Sequence, residues 1–173
     1  MEKKKVSQDF VRDTIKKYGI NISTLAELMD MSATMVSGCF KHQKDAAGRR
    51  RNFPVQTLPR LNAALAALAE ELSQMQLTFG SEETYTNNRG ATYDPVMIQP
   101  IMNLHRYFKL TQFLNNVLGW TSNKKSIVLH TPSSKGYGCI SEDDVRRIND
   151  AILQVSIVLS GIEVVAADSD SSI

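Results

Sequence analysis

A chain of 173 residues and 19.3 kDa has room for one ordinary domain or two small ones. Hydrophobic residues make up 42% of it, which excludes a disordered polymer, and nine Gly with five Pro are too few for a collagen-like or low-complexity chain. Twenty Lys+Arg against eighteen Asp+Glu leave a net charge of +2, so a nucleic-acid or membrane partner has to be argued locally.

Phe10, Val11, Thr14, Ile15 and Tyr18 recur at helical spacing with Gly19 behind them as a C-cap, which predicts a helix over 7–18. Asn21 or Ser23 can cap a short second helix whose Leu25, Ala26, Leu28 and Met29 share a face and which ends at Asp30-Met31-Ser32. A third helix is expected over 33–41. A polar loop over 44–55 carries Gly48 and Arg49-Arg50-Arg51, and a long helix over 57–77 follows with Leu58, Leu61, Ala64, Leu65, Leu68, Leu72 and Met75 in register. Residues 78–95, rich in Thr, Asn, Gly, Glu and Tyr without an apolar period, read as a linker. Helical patterning resumes over 96–108, 111–118 and 122–129. After a loop through Pro132 and Gly138 a final helix spans 141–162, and the acidic, serine-rich tail at 168–172 is expected to be mobile.

The two halves match each other in two ungapped blocks. Leu25, Leu28, Met29, Met31 and Phe40 pair with Leu114, Val117, Leu118, Trp120 and Leu129 at an offset of 89 residues. Phe53, Leu58, Arg60, Leu61, Asn62, Leu65 and Leu68 pair with Ile140, Val145, Arg147, Ile148, Asn149, Ile152 and Val155 at an offset of 87. The identical Arg-apolar-Asn step, Arg60-Leu61-Asn62 and Arg147-Ile148-Asn149, carries most weight. The expected fold is all-α, with two tandem helix-turn-helix-containing bundles at 1–77 and 96–173 joined by 78–95, the second copy degenerate.

Residues 22–41 have the pattern of a helix-turn-helix: Leu25, Met29, Met31, Val36 and Cys39 supply the apolar contacts between two short helices, and Ala26 is small where they come closest. With Thr24-Leu25-Ala26-Glu27-Leu28-Met29-Asp30-Met31-Ser32-Ala33-Thr34-Met35-Val36-Ser37, residues 7–72 resemble the lambda-repressor-like, or Xre-type, DNA-binding domains. One departure is Asp30, where that family usually has Gly. The resemblance implies that the second helix of the motif enters the major groove of double-stranded DNA, with Ser32, Ala33, Thr34, Ser37, Gly38 and Lys41 at the corresponding positions. None of these is an Arg, Asn or Gln placed for bidentate base readout, so modest specificity is expected. Lys44 and the run Arg49-Arg50-Arg51 could approach phosphates, although a basic run is also compatible with a plain solvated loop.

Charge is distributed unevenly. Residues 1–77 carry 12 basic and 8 acidic side chains, and residues 78–173 carry 8 and 10, which assigns a DNA contact to the first half. The second copy restores a turn glycine as Gly119 but has Asn115 in place of Ala26 and Lys125 in place of Val36. Its Asn123, Lys124 and Lys125 begin a polar, basic helix that either binds DNA in a shifted register or serves self-association in a homo-oligomer.

Other signals are weaker. His42, His105 and His130 have no ligand partner at metal spacing, and the two cysteines, Cys39 and Cys139, lie a hundred residues apart, which excludes a disulfide framework and suits a reducing compartment. The charged start and the absence of a roughly 20-residue apolar run argue against a secretory signal or membrane span, so a cytoplasmic protein with no cofactor, no evident small-molecule ligand and no catalytic constellation is expected. Two functions stay open: a sequence-preferring regulator of transcription of prokaryotic, phage or mobile-element type, and an assembly or DNA-packaging protein, in the manner of small phage terminase subunits, that uses the scaffold for protein contacts.

Overall fold

In a computed structural model the described residues are 2–40, 52–78, 85–86, 92–93, 103–123 and 142–166. They are mostly helical. Strand β1 (Lys4–Val6) leads into α1 (Gln8–Tyr18), α2 (Ile22–Leu28) and α3 (Ala33–Phe40), and a short 3₁₀ turn (Val55–Thr57) opens α4 (Leu58–Ser73). The second half supplies the pair β2 (Tyr85–Thr86) and β3 (Thr92–Tyr93), a 3₁₀ turn at Leu104–Arg106, α5 (Leu110–Leu118), α6 (Glu142–Ser160) and β4 (Ile162–Val164). Of the predicted helix over 96–108 only 103–108 is described, and 104–108 form the 3₁₀ turn and then a bridge from Phe108 to Ile20 instead of an α-helix. Most of the predicted helix over 122–129, the loop at 132–138 and the acidic tail lie outside the described residues.

Local chemistry explains the helix ends. Ser7 caps α1 by accepting from the Phe10 N–H, and Asn21, rather than Ser23, caps α2 by accepting from the Ser23 N–H. Gly19 closes α1 at φ 65°, with the Ile20 N–H donating to the Ile15 carbonyl. A Cβ there would lie 3.1 Å from the Phe113 backbone nitrogen and 3.2 Å from the Gln112 Cβ, so this glycine also allows α5 to pack against the end of α1.

The long helices α4 and α6 pack on each other and bury the apolar stripes read from the sequence: Leu61 and Ile148 are both 0% exposed, and Leu65, Leu68, Ile152 and Val155 are buried beside them. Leu25 and Leu114 are likewise both fully buried. One continuous apolar core contains residues of both halves, from Val6 to Val164. The strands were not expected. β1 runs parallel to β4, with Lys4 beside Ile162 and Val6 beside Val164, so the two ends of the described chain meet in one small sheet. β2 and β3 pair antiparallel inside the segment read as a linker.

Polar side chains connect the halves reciprocally. Asn62 donates to the Val164 carbonyl at 3.0 Å and accepts from its N–H at 2.7 Å. Asn149 makes the same two bonds with Leu77, both at 2.8 Å. Side chains of α2 and α5 also reach across: Asn21 and Thr24, at the start of α2, donate to the carbonyls of His105 and Arg106, while Gln112 and Asn116 along α5 donate to those of Lys16 and Lys17. Where α4 and α6 cross, the Ser156 hydroxyl donates to the Ala69 carbonyl at 2.7 Å.

Candidate nucleic-acid interface

The segment from α2 to α3 is built by two local devices. The Asp30 N–H donates to Glu27 and the Met31 N–H to Ala26, a pattern that ends α2 only if the residue at 30 turns left-handed, and Asp30 has φ 53°. It is the one non-glycine with positive φ among the described residues. Its counterpart in the second half, Gly119, has φ 67°. Two residues after Asp30, Ser32 accepts from the Met35 N–H through its hydroxyl and from the Val36 N–H through its carbonyl, which starts α3. Leu25, Ala26, Met29, Val36 and Cys39 are buried and fix the angle between the two helices, as their spacing requires.

Of the residues expected to face DNA, Ser32, Ala33 and Thr34 are exposed at the start of α3 and Ser37 is half-buried. Gly38 is buried, although its spacing of four residues from Thr34 puts it on the same side of α3 as Thr34. Met35, not singled out in the sequence, is 46% exposed beside Thr34 and widens the outward face with apolar surface. Lys41, Lys44, Arg49, Arg50 and Arg51 lie outside the described residues, as do Lys124 and Lys125. Asn123 is exposed, next to exposed Thr121 and Ser122, just after the Gly119 turn.

The residues that flank 41–51 are anchored by side chains that belong to no motif in the sequence. Arg12 of α1 is only 3% exposed, and its guanidinium donates to the Cys39 carbonyl at 2.7 Å, to the Asn52 amide oxygen at 2.6 Å and to Asp9 at 2.5 Å. Gln8, one turn earlier, donates to the Phe53 carbonyl and accepts from the Phe53 N–H. The rings of Phe40 and Phe53 meet edge to face, 5.1 Å between centroids. The chain therefore leaves the end of α3 and returns beside it, held by α1. A charged residue sharing a helix with the buried Val11 and Ile15 was the available signal, since an arginine is buried only when its donors are satisfied.

On the other flank of α2, Arg106 stands near the carboxylates of Glu27 (3.6 Å) and Glu71 (3.7 Å), and 5.7 Å from the centre of the Tyr107 ring. A side-chain hydrogen bond with Tyr107, then the charge of Glu27, holds the guanidinium above the ordinary arginine pKa. Burial, assisted by Glu71, raises the Tyr107 phenol. These groups brace α2.

No group of three or more His, Cys, Asp or Glu among the described residues could hold a metal ion, and no described helix is long and apolar enough to cross a membrane. Comparison with known proteins gives no match to a family model, a curated protein or a solved structure.

Proposed function

We propose that this chain is a sequence-preferring double-stranded DNA-binding protein, most simply a transcriptional regulator of prokaryotic, phage or mobile-element type, built from two tandem helix-turn-helix units. The observation that carries the reading is the left-handed Asp30 turn between α2 and α3, which leaves Ser32, Ala33 and Thr34 outward at the start of a helix whose other side is buried. A helix held by its inner face and exposed at its first turn has the geometry that major-groove docking requires. Ser32, Thr34 and Ser37 supply short hydroxyls for bases and phosphates. Lys41, Lys44, Arg49, Arg50 and Arg51 supply phosphate contacts, and the residues that flank them in the chain, Cys39, Asn52 and Phe53, are held by Arg12 and Gln8. The matched burial of Leu25 with Leu114 and Leu61 with Ile148 supports the duplication.

A random-duplex selection with the full chain tests the reading. Recovery of a defined sequence is the expected result, and recovery of unenriched sequence, with a large oligomer in solution, favours an assembly or packaging protein instead. One observation speaks for that second reading: α6 exposes Leu153 (53%) and Ile157 (55%) one turn apart, where α4 has Ala66 and Glu70 at the corresponding positions.

A further inference from the structure

We infer that a single copy of this chain recognises a two-part duplex site whose halves are inverted relative to each other and unlike in sequence. The inference rests on the DNA-binding reading above and adds the orientation of the two contacts.

Two tandem units on a flexible linker would have no fixed relative orientation, and would impose no direction on the two halves of a site. The contacts across this molecule have a definite symmetry. Asn62 holds Val164 while Asn149 holds Leu77; Asn149 lies 87 positions after Asn62, and Val164 lies 87 positions after Leu77. The carbonyls of His105 and Arg106 accept from Asn21 and Thr24 at the start of α2, and their counterparts 89 residues earlier, Lys16 and Lys17, accept from Gln112 and Asn116 of α5, so the exchange holds between elements although the donors differ in position. An exchange in which A grips B and the copy of B grips the copy of A is the signature of a two-fold axis, as in a symmetric homodimer. Ser156 touches Ala69, which is its own counterpart, and only residues at the axis meet their own counterparts in this way. The left-handed turns Asp30 and Gly119 are therefore exchanged by the same rotation, and so are the exposed residues that follow them.

Duplex DNA has two-fold axes perpendicular to its length. A protein whose two reading elements are exchanged by a two-fold meets the two strands with opposite polarity, which gives inverted halves. Here the elements are chemically unequal. Ser32, Ala33 and Thr34 offer hydroxyls and a methyl group, whereas Thr121, Ser122 and Asn123 include an amide, which can pair bidentately with adenine in the major groove. One half is read with an amide contact and the other without it, so the site departs from a true palindrome. No second chain is needed to complete it.

The test uses the full chain and the duplex recovered by selection. Native mass spectrometry should find one chain per duplex. Reversing the orientation of one half-site should weaken binding by at least about tenfold, whereas the same halves in direct orientation should not be preferred at any spacing. Asn123→Ala, checked for an unchanged melting temperature, should relax preference within one half only, by roughly five- to 150-fold at the base concerned. A direct repeat bound as tightly as the inverted one, a one-part site, or two chains per site overturns the two-fold inference and leaves DNA binding standing. Failure to bind any duplex at low salt overturns both.

Discussion

Asn62 and Asn149 lie on neighbouring helices, and each holds the backbone of a residue from the other half of the chain through one donated and one accepted hydrogen bond. Both are half-buried, so neither backbone segment has free access to water as a substitute partner. Replacing either by Ala is expected to cost about 1–3 kcal/mol, the penalty for leaving such groups unpaired. The two losses should resemble each other. Urea unfolding of the single variants measures this, and a loss at one position with none at the other would show that the bonds are not equivalent.

The three left-handed turns separate backbone strain from crowding. Gly119→Ala meets nothing within 4 Å and should cost only the left-handed penalty of about 1–2 kcal/mol. Gly19→Ala adds the approach of Phe113 and Gln112 and should cost more. Asp30→Gly relieves strain at φ 53° and should leave stability unchanged or raise it by up to about 1 kcal/mol. Thermal melts of the three variants check the order, and equal losses for Gly19→Ala and Gly119→Ala would remove the crowding argument.

Leu25 and Leu114 should behave alike under truncation. Both are fully buried, so Leu→Ala at either position is expected to cost about 2–5 kcal/mol through reduced transfer energy and a residual cavity. Because the core is continuous, one cooperative unfolding transition is expected in both variants. Two separated transitions in calorimetry would contradict a shared core.

Arg12 tests how the end of α3 is held. Arg12→Lys keeps the charge but loses the fork that reaches Cys39, Asn52 and Asp9 together, so it should destabilise nearly as much as Arg12→Met, by about 1.5–3 kcal/mol or more. Chemical denaturation compares the two. Full rescue by lysine would show that charge alone matters at this site.

The apolar skeleton of both halves was legible because buried faces repeat at helical spacing, and the caps Ser7, Gly19 and Asn21 mark helix ends by their own chemistry. The pairing of β1 with β4 was not. Lys4-Lys5-Val6 is too short to show alternation, and Ile162 and Val164 continue an apolar run whose helix stops only at Gly161. The step Arg60-Leu61-Asn62 stood out as repeated, yet its purpose depends on Val164 and Leu77, partners that only the tertiary fold brings near. In the candidate site, the outward positions of Ser32, Ala33 and Thr34 follow from motif spacing. The burial of Gly38 was not legible, because motif spacing gives a position along a helix and not what packs over it, and Arg12 was missed because two of its three partners, Cys39 and Asn52, are distant in sequence.

The most direct measurement is duplex affinity against salt concentration for the full chain, a variant with Arg49, Arg50 and Arg51 changed to Gln, and a Thr34→Ala/Ser37→Ala variant. Neutralising the arginines should weaken binding to selected and scrambled duplexes alike and reduce the logarithmic salt slope by about 0.9 for each phosphate that the variant no longer neutralises. Changing Thr34 and Ser37 should narrow the difference between selected and scrambled duplexes and leave the slope nearly unchanged, because base-edge contacts release few counterions. A wild-type chain that binds no duplex at low salt would contradict the account.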